Sequence, residues 1–155
     1  MSKDNDEVGL VRNELEIPIA APIAEVWRAM IDDIGSWWDD GFYFTQKPRT
    51  IKLEARIGGR LLETGANGDS LSWGQVIAVQ PGRTITMGGA FAPPYSGPAY
   101  STLHLALEPD GDKRTVFRLS QSVFGHIHEG MKKSLQEGWT LLFEKGLKTF
   151  VEKGR

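Results

Sequence analysis

The order of its patterns constrains this chain more than any single motif: one strand, two short helical stretches, a run of strands, then one long helix. Strands with one apolar face need a cover, and a helix with an apolar stripe needs a sheet. The long stretch from about Glu129 to Glu152 carries that stripe, with Met131, Leu135, Trp139, Leu142, Phe143 and Phe150 on its buried side. The order therefore describes an α+β domain: a curved antiparallel sheet of about seven strands wrapped around a C-terminal helix.

The strands read by alternation. From Leu10 to Ile19, Asn13, Leu15, Ile17 and Ile19 share one face, while Arg12, Glu14 and Glu16 share the other. Pro22 fits a first helical turn, where its missing N–H costs nothing. Ile23, Val26, Trp27 and Met30 follow as a helical stripe, and a second short helix or turn carries Ile34, Trp37 and Trp38. Ile51 and Leu53 face inward on the next strand, and Gly58-Gly59 leads into Arg60 to Thr64. Asn67-Gly68 marks a hairpin, since a type I′ turn needs positive φ at both central positions. Leu71 to Val79 is a strand stopped by Pro81-Gly82, and Ile85, Met87 and Phe91 share a face on the one after it. Leu103, Leu105 and Leu107 face inward, with His104 opposite. In Thr115 to Val123, Phe117, Leu119 and Gln121 face inward while Arg118, Ser120 and Ser122 face out.

A chain of 155 residues fits one domain, here residues 9–155 after a loose polar tail at 1–8. The absence of cysteine excludes disulfides, thiolate metal sites and cysteine nucleophiles. A net charge of −2 with dispersed basic residues offers no footprint for nucleic acid. The acidic N-terminal stretch has no apolar signal region, and no segment is long and apolar enough for membrane insertion. The expectation is a cytoplasmic protein.

Several pieces in fixed order carry a resemblance: Ile19-Ala20-Ala21-Pro22-Ile23-Ala24-Glu25-Val26-Trp27, then Trp37-Trp38, then Ile57-Gly58-Gly59-Arg60. Trp73-Gly74-Gln75-Val76 follows, with Val79-Gln80-Pro81-Gly82-Arg83 and finally Gly138-Trp139. Over residues 10–152 the chain resembles the START-like, or SRPBCC, superfamily with the helix-grip (Bet-v-like) fold. Within it the chain is most similar to the AHSA-like group, relatives of a domain in the activator of the heat-shock-protein-90 ATPase. The resemblance implies a cavity between sheet and C-terminal helix. Many members bear a His on the strand entering the last helix. This chain has Gln121 there, which argues against chemistry that needs an imidazole.

The candidate cavity wall is Trp38, Phe44, Trp73, Met87, Phe91, Trp139 and Phe143, with Gln121 as a polar contact and Tyr95 on a proline-stiffened rim loop, Ala92 to Ala99. Gln121 and Asn13 are amides on apolar strand faces. They either orient a ligand or bond to each other, to backbone or to buried water, because an unpaired buried amide costs about 1–3 kcal/mol. Gly138 and Gly146, eight apart on the last helix, mark either a close approach of the sheet or space for a ligand. Leu61-Leu62 leaves the strand's parity open at Arg60 and Glu63, and both charges are read as solvated or paired at the rim. His126 and His128 lack a second cluster, so no metal is expected. No catalytic set and no cofactor can be nominated.

The leading reading is a carrier or sensor of a small apolar molecule, of lipid, aromatic or polyketide type. Two others stay open: a co-chaperone-type interaction module, though chaperone contact is not favoured for one domain, and a cyclase or hydrolase using Glu63. A homodimer is compatible with the sequence.

Overall fold

A computed structural model describes residues 7–93 and 96–154. Most of the N-terminal stretch read as a tail, and Tyr95 of the rim loop, lie outside the described residues.

Seven strands form one antiparallel sheet: β1 (Gly9–Ile19), β2 (Thr50–Leu53), β3 (Arg60–Thr64), β4 (Ser70–Gln80), β5 (Thr84–Phe91), β6 (Ala99–Pro109) and β7 (Thr115–Gly125). Their spatial order is β1-β7-β6-β5-β4-β3-β2. The strands adjacent in sequence, β1 and β2, thus form opposite edges. The helices α1 (Ile23–Ile31) and α2 (Ile34–Trp37) bridge that gap. The remaining connections join neighbours, as short antiparallel links do. At Asn67 (φ 58°) and Gly68 (φ 81°) the chain adopts the expected primed turn, closed by Asp69 N–H donating to Ala66 O at 3.0 Å.

The C-terminal helix is continuous through three segments: α3 (Met131–Thr140), a π-helical segment (Leu141–Lys148) and α4 (Thr149–Lys153). It starts at Met131 rather than Glu129, because Gly130 at φ 85° interrupts the helical path. Its inward stripe is Met131, Leu135, Trp139, Phe143, Leu147 and Val151, spaced by four, with Leu142 fully buried beside it. On a regular α-helix a step of four residues overshoots a full turn by about 40°, so such a stripe would wind off the sheet. A π turn, closed by i→i+5 bonds, takes more residues per turn and offsets that drift. This corrects one expectation. Phe150 is 36% exposed, and Leu147 and Val151 hold the buried positions instead. An α-period assigned Phe150 inward; the wider turn rotates it out.

Gly146 lies where the helix meets α2. A Cβ there would fall 2.7 Å from the Trp37 carbonyl oxygen, whereas one at Gly138 would lie 3.7 Å from the Phe42 ring. Close approach explains Gly146, and nothing comparable constrains Gly138.

The helix also covers the free edge of β1. Gln136 Nε2 donates to Glu14 O at 3.4 Å and Lys148 Nζ to Pro18 O at 2.6 Å. Glu152 accepts from Ala20 N–H at 2.8 Å and from Lys148 at 2.9 Å. Edge strands need such cover, since exposed ladder groups recruit other strands.

Two predictions follow from this packing. Gly146→Ala lowers unfolding free energy by about 1–3 kcal/mol through overpacking against α2. Gly138→Ala raises it by up to about 1 kcal/mol through helix propensity; urea denaturation of both variants checks the contrast. The Ala20 N–H, and then Lys148, hold the Glu152 carboxyl below its ordinary value of 4.5. A depressed folded-state value means that its stabilisation is full above the unfolded value and is lost as pH falls through the folded one. Unfolding titrations from pH 7 down to pH 3 should show this loss, and Glu152→Gln should flatten it.

Candidate functional site

The concave face of the sheet and the C-terminal helix enclose an apolar interior. A residual void of about 10 Å³ remains inside it. The sheet lines this void with Leu53, Leu61, Met87, Leu103 and Leu105, and the C-terminal helix with Trp139 and Phe143. Met30, Ile34, Trp37 and Trp38 close it from the α1–α2 side. A single water needs about 10–15 Å³ on this scale, so the interior is packed nearly shut.

Of the residues proposed from sequence as cavity wall, Trp38, Met87, Trp139 and Phe143 meet at the void. Gln121 stands beside it, 3% exposed, with Oε1 accepting from Trp139 Nε1 at 2.8 Å and Nε2 donating to Ser101 Oγ at 3.1 Å. Trp73 is one layer back, edge-on to Trp38 with ring centres 5.4 Å apart. Phe44 is not part of the interior wall. It is 59% exposed and leans on Trp73 from outside, because the loop that carries it has no strand period to turn it inward. Phe91 packs in a separate cluster with Val11, Val123 and Met131. The wall also includes Ile34 and Trp37 of α2 and Leu103 and Leu105 of β6. Their apolar pattern was readable, but their convergence on one point was not.

Glu63 departs most from its sequence reading. It is fully buried rather than at the rim, while Arg60 stays outside, 3.5 Å from Glu54. β3 itself alternates regularly, which puts Leu61 and Glu63 on the inner face and Arg60 and Thr64 outside. Opposite it β4 is bulged: Leu61 pairs with Gly74 and Leu62 with Ser72, leaving Trp73 as the extra residue. The bulged Trp73 reaches Glu63 with its indole N–H at 3.0 Å. The other carboxylate oxygen accepts from Phe44 N–H at 2.7 Å, Thr45 N–H at 2.6 Å and Thr45 Oγ1 at 2.6 Å. Four neutral donors thus replace its hydration shell, which makes burial of a carboxylate tolerable without a cation. The group holds the loop after α2 against the sheet.

A wider opening lies outside the core, an open groove of about 600 Å³ bordered by Gly35, Trp38, Asp40, Tyr43, Lys47, Pro48 and Arg49. Its charges pair with one another, although Arg49 Nε is buried without a hydrogen-bond partner among the described residues. Arg49 donates to Asp40 at 2.8 Å and stacks 4.6 Å over the Tyr43 ring, with Lys47 3.5 Å from Asp40. The Arg49 hydrogen bond and the nearby Lys47 charge lower the Asp40 carboxyl.

His104 lies on the outer face, its Nδ1 2.7 Å from Thr86 Oγ1. Among the described residues no three of His, Cys, Asp or Glu gather around a point that could hold a metal. No described helix is long and apolar enough to cross a membrane.

The Glu63 geometry makes a direct prediction. Glu63→Gln sets an amide N–H₂ or a weaker acceptor against those donors and lowers stability by about 1–3 kcal/mol. Amide hydrogen exchange at Phe44 and Thr45 should accelerate in the variant; unchanged exchange there would contradict the tethering role.

Solved structures share this architecture. A protein from Mesorhizobium loti, MLL2253, is 22% identical, with a TM-score of 0.67 over 93% of this chain and 98% of that one. CalU16 from Micromonospora echinospora is 22% identical, with a TM-score of 0.62 over 94% of this chain and 83% of that one. A third, Ara h 8.0201, is 13% identical, with a TM-score of 0.64 over 94% of this chain and 99% of that one. At these identities they establish the fold alone. No curated protein matches the chain. The family model described as "Activator of Hsp90 ATPase homolog 1-like protein" matches residues 20–152, and the chain belongs to that family, within the START-like superfamily of helix-grip folds.

Proposed function

We propose that this protein binds a small, mainly apolar molecule between the concave sheet and the C-terminal helix, as a carrier or sensor. One observation carries the reading: a buried polar chain, Trp139–Gln121–Ser101, stands at the border of an aromatic-rich void with an apolar lining. Apolar walls with a few placed polar groups suit small-molecule recognition. The 10 Å³ void describes the closed form. Ligand pockets run to about 300–1,000 Å³, so binding requires the helix and its aromatic side chains to move outward. Burial of ligand surface, at about 25 cal/mol per Å², offsets the cost of opening.

A cyclase or hydrolase is less well supported. Glu63 was the one acid or base the sequence offered, and its carboxylate is engaged by four donors in holding residues 44–45. No particular contact favours a chaperone partner.

Native mass spectrometry of freshly purified protein tests the reading, followed by a thermal-shift screen of lipids, aromatics and polyketide-like compounds. A bound metabolite, or a ligand that stabilises by about 2.7 kcal/mol at a hundredfold excess over its Kd, is the expected outcome. An empty protein that no compound in the three classes stabilises would remove the proposal.

A further inference from the structure

Asn13 is the most anomalous residue of the interior. It lies on β1, only 3% exposed, and neither its Nδ2 nor its Oδ1 has a hydrogen-bond partner among the described residues. Buried amides are almost always paired, so a fully unpaired one calls for an explanation. Its position supplies one. Asn13 pairs directly with Gln121 across β1 and β7, Gln121 with Leu103 across β7 and β6, and Leu103 with Met87 across β6 and β5. The four side chains form one transverse row on the inner face. Adjacent strands lie about 4.8 Å apart, so the row runs about 14 Å from the open amide to Met87, and its last two members, Leu103 and Met87, line the void.

The row has a polar end and an apolar end. Gln121 is already oriented, with its oxygen taken by Trp139 and its nitrogen turned to Ser101. Asn13 offers two N–H donors and one carbonyl acceptor beside it. The buried polar residues described are Asn13, Thr45, Glu63, Ser101, Thr115 and Gln121, and none is cationic. An anionic head group would therefore be buried without a counter-charge, which is strongly unfavourable. We propose that Asn13 is a ligand-anchoring residue that takes an uncharged group presenting a carbonyl oxygen beside an N–H or O–H, such as a carboxamide or lactam. The apolar remainder of the ligand then lies along Gln121, Leu103 and Met87. This rests on the interior being the binding site.

The test compares octanamide with methyl octanoate, which keeps the tail and the carbonyl but has no donor, by titration calorimetry. Wild-type protein should bind octanamide at least tenfold more tightly. Asn13→Leu should bring the ratio to about one while methyl octanoate binding persists, and the ligand-free variant should melt higher, having lost an unpaired buried amide. If Asn13→Leu fails to fold, Asn13→Val, with a β-branched side chain suited to a strand, reads the same ratio. A ratio that both compounds hold unchanged in the variant overturns the anchor and leaves the binding interior standing; Asn13 then serves buried water alone. Binding of neither compound to the wild type, together with an empty ligand screen, overturns both.

Discussion

The molecule depends on one packing constraint: an apolar stripe at four-residue spacing must lie flat along a sheet. Met131, Leu135, Trp139, Phe143, Leu147 and Val151 satisfy it only because the helix widens between Leu141 and Lys148. With that correction Trp139 and Phe143 land on the sheet, and Phe143 stacks on Phe117 with ring centres 4.7 Å apart. The same alignment brings Gly146 against Trp37 and sets Lys148 and Glu152 at the free edge of β1. Core, α2 contact and edge cover all follow from the path of one helix.

Within that frame the interior handles its polar groups in three ways. Glu63 is fully satisfied and acts as a tether. Gln121 is bonded on both sides and passes order from Trp139 to Ser101. Asn13 is left open. Tethers and oriented amides rigidify a core when their partners are complete. An open one costs stability, which is the expected mark of a position kept for something other than folding. Beside it the aromatic tier is nearly voidless, so the binding proposed above would need a displacement of packed elements rather than the filling of a preformed hole.

Much of the fold was legible because its signals are local. The alternation in β1, β6 and β7 placed Asn13, Leu103 and Gln121 on the inner face, and Asn67-Gly68 set its hairpin. The misreadings have separate origins. Phe150 was assigned by assuming an unbroken α-period, and the π turn leaves no mark in the residues that it moves. Glu63 was read at the rim because Leu61-Leu62 left the strand's parity open and a buried charge needs partners; its donors come from Trp73 and residues 44–45, distant in sequence. Phe44 was drawn to the wall by its hydrophobicity alone, but it lies in a loop without a repeat to fix its direction.

The sequence by itself determined which elements form, in what order, and which face of each regular strand is apolar, because those properties arise from the spacing of neighbouring residues. Only the tertiary structure decided that the aromatic wall closes to a void of about 10 Å³, that Glu63 is fully engaged, and that Asn13 has no partner. Void volume and hydrogen-bond pairing are set by residues brought together from distant parts of the chain, and no local repeat encodes that sum.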